Sequence, residues 1–355
     1  MKGDGLNAAA ANLFPGYFAL VMATGIISIA AFQLDLNPIA WLLLAINVGA
    51  YLVLWLLLLI RLVRFFPRVK SDLMDHARGP GFFTVVAGTC VLGSQLVILA
   101  REYRAAIVLW LLGLFLWTTI MYTFFSAVTV RDDKPQLETG INGTWLLATV
   151  ATQSISVLGT LLVDYLQTYI DLLLFFTLCM FLLGCMLYLL LITLIFYRFT
   201  FVKLTTVSLT PPYWINMGAV AITTLAGARL IIAVPKWSFL AEIAPFLKGF
   251  TLFFWATGTW WIPLLLILGI WRHVKRHFPL AYDPLYWGMV FPLGMYTVCT
   301  LQLSIAIGFQ PLGYVSRVFI FVALIAWVVV FAGLVHSLVM RKTVKLSADY
   351  VDSTE

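Results

Sequence analysis

The chain has 355 residues, of which 63% are hydrophobic and only 10% charged. Soluble domains carry about 25% charged residues, so a water-soluble globule is excluded and the sequence is that of an all-α integral membrane protein. Its 22 Lys and Arg against 15 Asp and Glu give a net charge of +7, but the basic residues stand at the ends of apolar runs, where membrane topology explains them without a nucleic-acid partner.

Runs such as Trp41–Ile60 and Phe181–Phe196 are apolar on every side. Transmembrane β-strands are instead about ten residues of alternating polarity, so a barrel is excluded. A helical span needs roughly 20 apolar residues. Breaking the runs at charges and Pro/Gly clusters predicts ten spans: 14–33, 38–66, 80–100, 104–130, 140–163, 170–198, 211–234, 245–271, 284–309 and 315–340. A segment at 1–13 precedes this 14–340 membrane domain and a tail at 341–355 follows it. The first run follows a short polar leader and no small-residue cleavage site closes it, so it reads as a retained span.

An even number of spans puts both termini on one side. Lys and Arg at the N-terminus and after each even span number sixteen, among them Arg68, Lys70, Arg272 and Lys275; the other side has six. By the positive-inside rule both termini are cytoplasmic, in the plasma or inner membrane.

Four odd spans open on proline, any residue and two aromatics: Pro15-Gly-Tyr17-Phe18, Pro80-Gly-Phe82-Phe83, Pro211-Pro-Tyr213-Trp214 and Pro284-Leu-Tyr286-Trp287. The fifth has Asn142-Gly-Thr144-Trp145 at the matching place. Proline in a first helical turn costs no backbone hydrogen bond, and an aromatic pair suits the membrane interface. The regular recurrence predicts five helical hairpins in a pseudo-five-fold arrangement.

Even spans are dominated by Leu, Ile, Val and Phe, whereas odd spans are rich in Gly, Ala, Ser and Thr. Small and weakly polar residues belong at helix contacts or along a wet path rather than against lipid. The odd spans are therefore expected inside, around a central pore or a packed core. Aligned on the second aromatic, the positions one turn inward are Met22, Ala87, Thr149, Gly218 and Phe291, and those seven residues on are Gly25, Cys90, Thr152, Ala221 and Gly294. A lane of small residues crossed by one phenylalanine reads as a conduit with a plug. Gln153, Asn216 and Gln302 add polar groups that either line the lane or tie helices together.

The odd spans hold no Asp, Glu, Lys or His between their ends, and their single charge is Arg229. Cation paths and proton relays normally need buried acids or histidines; anions need only helix N-termini, hydroxyls and a basic mouth. Arg68, Lys70, Arg272 and Lys275 are expected to attract anions on the inner side. Arg229 is expected either to do so outside or to reach the interface and pair with Asp164 or Glu242. His273 and His277 have helical i, i+4 spacing within a basic run that supplies no third metal ligand. Cys90, Cys179, Cys185 and Cys299 form no C-x-x-C pair, Asp132-Asp133 reads as a solvated loop, and nothing points to a metal, a cofactor or an enzyme.

Three stretches carry a family resemblance: Phe14–Gly25, Tyr213–Gly227 and Trp287–Gly294. In these the chain resembles the tellurite-resistance/dicarboxylate transporter family, which includes bacterial TehA proteins and the slow anion channels of plant guard cells. The resemblance implies a homotrimer whose protomers each have ten helices around their own pore, occluded by a phenylalanine of the ninth helix. The matching residue is Phe291, directly before Pro292 at a helix kink. Glycines Gly25, Gly88 and Gly218 would have to bend the other inner helices. An anion channel for small anions is the leading functional expectation. The alternative is a carrier of dicarboxylate, sulfite or tellurite-like oxyanions.

Overall fold

The structure, a computed structural model, describes residues 2–351 and the side chains of residues 5–340. Lys2 and the basic residues Arg341, Lys342 and Lys345 of the tail fall outside the described side chains. Ten helices are long and apolar enough to cross a membrane: α1 (Pro15–Gln33), α2 (Asn37–Arg64), α3 (Gly79–Ala100), α4 (Tyr103–Val130), α5 (Gly143–Leu162), α6 (Gln167–Phe201), α7 (Pro211–Ile232), α8 (Ala244–Lys275), α9 (Pro284–Ile307) and α10 (Leu312–Met340). A further helix, Lys2–Ala11, leads in and packs on α2; Arg64 at the end of α2 donates to Asn7, and Arg68, just beyond it, donates to the Ala11 carbonyl.

The odd helices form the inner layer. In them 78–94% of the most apolar stretch is buried, against 22–44% in the even helices. Inner neighbours pack in the closed order α1, α3, α5, α7, α9 and back to α1, and each even helix lies outside its own hairpin partner. The end at which the inner helices begin is called the near end below.

The recurring motif builds one local structure. Each inner helix opens with a 3-10 turn: Pro15–Phe18, Gly79–Phe82, Gly143–Leu146, Pro211–Trp214 and Pro284–Tyr286. Where α5 lacks the proline, the Asn142 side chain accepts a hydrogen bond from the Thr144 amide and supplies the cap. Glycine here permits contact between backbones, because a Cβ on Gly143 would collide with the Pro212 carbonyl of α7.

Hydrogen bonds from outer aromatics stitch each hairpin to the next. The Tyr51 hydroxyl of α2 pairs with Thr89 of α3 at 3.0 Å. Trp117 Nε1 of α4 donates to Thr152 Oγ1 of α5 at 2.8 Å, and the Tyr188 hydroxyl of α6 donates to the Asn216 carbonyl of α7 at 3.3 Å. Trp255 of α8 donates to Thr300 of α9 at 3.0 Å, and Trp327 of α10 closes the circle on Thr24 of α1 at 2.9 Å. In lipid such bonds, with close packing, replace the hydrophobic drive between helices. Replacing Trp327 by Phe keeps a ring and removes the donor, so Trp327→Phe should cost about 0.6–1.7 kcal/mol, the range of interhelical hydrogen bonds. A double-mutant cycle with Thr24→Val in a denaturant titration of detergent-solubilised protein should recover that amount as coupling energy.

Candidate functional site

Two constricted cavities lie along the ring, each walled by all five inner helices. The near cavity opens among the 3-10 turns, is bordered by Gly16, Gly81, Thr144, Pro212 and Leu285, and includes Met22 and Phe291 among its walls. The far cavity begins one turn further on with Ile26, Val91, Ser154, Ile222 and Met295. It continues through Ile29, Ser94, Val157, Leu225 and Val298 to a last level holding Gln33, Arg229 and Gln302. Their volumes are about 20 and 30 Å³, room for one or two water molecules each, since one water needs ~10–15 Å³. Met22 and Phe291 are 1% exposed and sit at the step between the two cavities.

The wall residues also fix the register between inner helices. Ala19, Thr84, Leu147, Ile215 and Gly288 share one level of the near cavity, and the far-cavity residues keep the same intervals. Phe18, Phe83, Trp214 and Trp287 fit this alignment, but the residue of α5 that matches them is Leu146. An alignment on Trp145 slips α5 by one position: the counterpart of Met22 and Phe291 is Val150, not Thr149.

Several expected lining residues turn outward. Gly25 faces Val91 and the Asn47 amide of α2, which donates to Gln95 at 2.8 Å. Cys90 faces Gly113 of α4, and Gly294 faces Ile26 and Ile27 of α1. Thr152 accepts from Trp117, and Gln153 donates to the Phe181 carbonyl of α6 at 3.0 Å. Ala87 and Ala221 are buried, and Gly218 lies against the Pro292 ring. The lining at these heights is Ile26, Val91, Ile222 and Met295, one residue further along their helices, with Ser154 on α5. Thr149 Oγ1 and both side-chain polar atoms of Asn216 are buried without a hydrogen-bond partner.

The basic residues also divide. Arg229 faces the far cavity, donating from NH1 to Gln302 Oε1 at 3.4 Å, and its Nε has no partner. Asp164, one of the two acids offered as its alternative partner, pairs with Lys236. At the near end, Arg68, Lys70 and Lys275 are exposed and do not border the near cavity. Arg272 is buried over the Phe278 ring, 4.1 Å from its centroid, and faces away from the axis. Asp72 gathers Arg61 at 2.6 Å and Arg78 at 2.7 Å. In the loop before α3, burial and then Arg131 hold the His76 imidazole below its ordinary pKa, so it adds no charge at neutral pH. Among the described residues no group of three His, Cys, Asp or Glu is placed to hold a metal ion.

Residues 12–335 match the family described as voltage-dependent anion channel. The chain belongs to this family. Two uncharacterized transporters of Methanocaldococcus jannaschii are similar along most of their length: one is 24% identical over 328 residues, covering 90% of this chain and 92% of its own, the other 25% identical over 316 residues, covering 86% and 87%. An uncharacterized membrane protein of Mycobacterium tuberculosis H37Rv is 37% identical over 146 residues, which is 41% of this chain and 74% of that protein. The family is one of channels and transporters rather than enzymes, so this member is a multi-pass membrane protein whose substrates are anions.

Among the described residues Arg229 is the one charge placed on the axis, in a cavity otherwise lined by apolar and neutral polar groups. Arg229→Gln should lower anion flux into liposomes roughly ten-fold, the low end of focusing by a cleft of one sign. Lys236→Gln, an exposed change at the same end, should leave the flux within about two-fold, because exposed pairs contribute little.

Proposed function

We propose that this protein is an anion channel that conducts small anions along the axis of its inner ring, with Phe291 and Met22 as the gate. The observation that carries the reading is the pair of cavities walled by all five inner helices and interrupted at the level of these two side chains. A narrow stretch lined by apolar side chains resists ions by excluding water, so resting conduction is low. The single axial charge is positive, the inner helices bring no acid to the path, and five helix N-termini face the near cavity. All three features favour anions over cations.

The sixteen-to-six distribution of Lys and Arg supports a cytoplasmic near end and cytoplasmic termini. The resemblance to the tellurite-resistance/dicarboxylate transporters supports a homotrimer in which each protomer keeps its own path, and the pseudo-five-fold order of hairpins follows from the repeated motif. The second reading, a carrier of dicarboxylate, sulfite or tellurite-like oxyanions, is favoured by the naming of the M. jannaschii relatives as transporters. Proton coupling normally needs acids or histidines along the path, and the inner helices carry none between their ends.

Planar-bilayer recording under asymmetric chloride, nitrate and malate separates the readings. A channel gives currents that reverse at the potential of one anion; flux that requires a proton gradient and carries no such current would replace it by the carrier. Phe291→Ala should raise the anion current at least about ten-fold, as expected if an apolar barrier is removed from the path. If Phe291 only fills the core, the variant should instead lose about 3–5 kcal/mol of stability with no added current. Topology is checked with single cysteines at Lys70 and Arg104, which an impermeant reagent should label from opposite sides.

A further inference from the structure

On the lipid side of the near half, a groove of about 640 Å³ opens between the last turns of α8 and the body of α10, with the first turns of α7 and α9 as its floor. Its rims are exposed apolar residues of the spans, including Leu266, Ile270 and Val329, which are 51%, 59% and 59% exposed. A cleft of this kind at membrane depth meets hydrocarbon. At its near end it meets Arg272 and His273.

Arg272 is 8% exposed, its Nε is buried without a partner, and it forms no salt bridge among the described residues. Asp283, the acid of the chain's next loop, is near enough to act on Arg272 through its charge but forms no salt bridge with it, and its Oδ1 accepts from the Leu285 amide at 2.8 Å. His273 Nδ1 lies 2.9 Å from the Phe278 carbonyl. A buried guanidinium with spare donors calls for an anion with several acceptor oxygens.

The geometry points to a binding site for one anionic phospholipid, its phosphate on Arg272 and one acyl chain lying in the groove between α8 and α10. Charge complementarity selects this occupant over a second copy of the chain. The outer helices that another protomer could insert carry no Asp or Glu in their near halves, so a copy would fill the apolar cleft and leave Arg272 unmatched. A phospholipid satisfies both parts at once, since a headgroup at the interface and a chain below it follow the groove's own order from Arg272 to Leu265.

The test is native mass spectrometry of the full-length protein titrated with phosphatidylglycerol or phosphatidylcholine of identical acyl chains. Wild type should retain phosphatidylglycerol roughly five-fold better, the factor that one basic residue contributes near an anionic lipid surface. Arg272→Gln should erase this preference while still retaining some lipid of either kind. Gly269 lines the groove and has no atom within 4 Å of where its Cβ would stand. Gly269→Leu therefore projects a side chain into the cleft while improving helix propensity, and should lose the bound lipid without unfolding. Equal retention of the two lipids by wild type, or unchanged retention by Gly269→Leu, would overturn the site. So would displacement of the lipid phosphate by inorganic phosphate with no contribution from the acyl chain. Efficient disulfide cross-linking of Leu266→Cys between copies in liposomes would assign the groove to a second protomer instead.

Discussion

Five hydrogen bonds between aromatic side chains of outer helices and the next inner helix hold the ring closed. Their donors and acceptors, Tyr51 with Thr89, Trp117 with Thr152, Tyr188 with Asn216, Trp255 with Thr300 and Trp327 with Thr24, link each hairpin to its successor. In a bilayer this matters more than in water, since lipid tails solvate an apolar helix face about as well as another helix does. Without directional links, five apolar hairpins have little to choose between neighbours. The links also spend several polar groups of the inner helices on their outer faces, which leaves the axis to apolar side chains, Thr84 and Thr144 at the near end, two serines and the far group of Gln33, Arg229 and Gln302.

The near end is organised by a different constraint. Five 3-10 turns converge there, and they fit because glycine or proline occupies the tightest places: Gly81 packs on the Gly16 backbone and Gly143 on Pro212. Tight turns aim backbone amides along the helix axes and toward the near cavity, and that positive field needs no charged side chain. Arg68, Lys70 and Lys275 stand outside on exposed surface and are not wall groups. The two ends of the path thus use different electrostatics, oriented amides at one and a guanidinium at the other.

The ten helices and their division into layers were legible because span length and side-chain size respond to lipid directly. Apolar runs end where charges begin, and Gly, Ala, Ser and Thr collect where helices touch. The wall of the path was not legible at residue level. Helical positions one residue apart point about 100° apart, so taking Trp145 rather than Leu146 as the repeat position turned α5 from Val150 toward Thr149 and from Gln153 toward Thr152, whereas the wall residue there is Ser154. Choosing Gly25, Cys90 and Gly294 failed for a second reason: small residues mark close helix contacts as readily as an open lane. The lining residues Ile26, Val91 and Ile222 look like any core residue, and only the three-dimensional register separates them. Arg272 misled in a similar way, since its sequence neighbours are exposed and basic whereas the Phe278 ring covers it.

Phe291 joins these levels of organisation. It precedes Pro292, which has no amide to give to the Gly288 carbonyl and so loosens α9 at the turn carrying the ring. The proline ring in turn fits only because Gly218 of α7 is bare, since a Cβ there would stand 2.7 Å from Pro292 Cγ. The position of Phe291 is therefore set by the backbones of α7 and α9, without a hydrogen bond to its own side chain. A side chain held this way can change rotamer without breaking a polar contact. Arg229 differs: moving it would break its contact with Gln302 and disturb a charge surrounded by apolar walls. Of the two groups on the axis, the phenylalanine is held by packing alone and the arginine also by a polar contact.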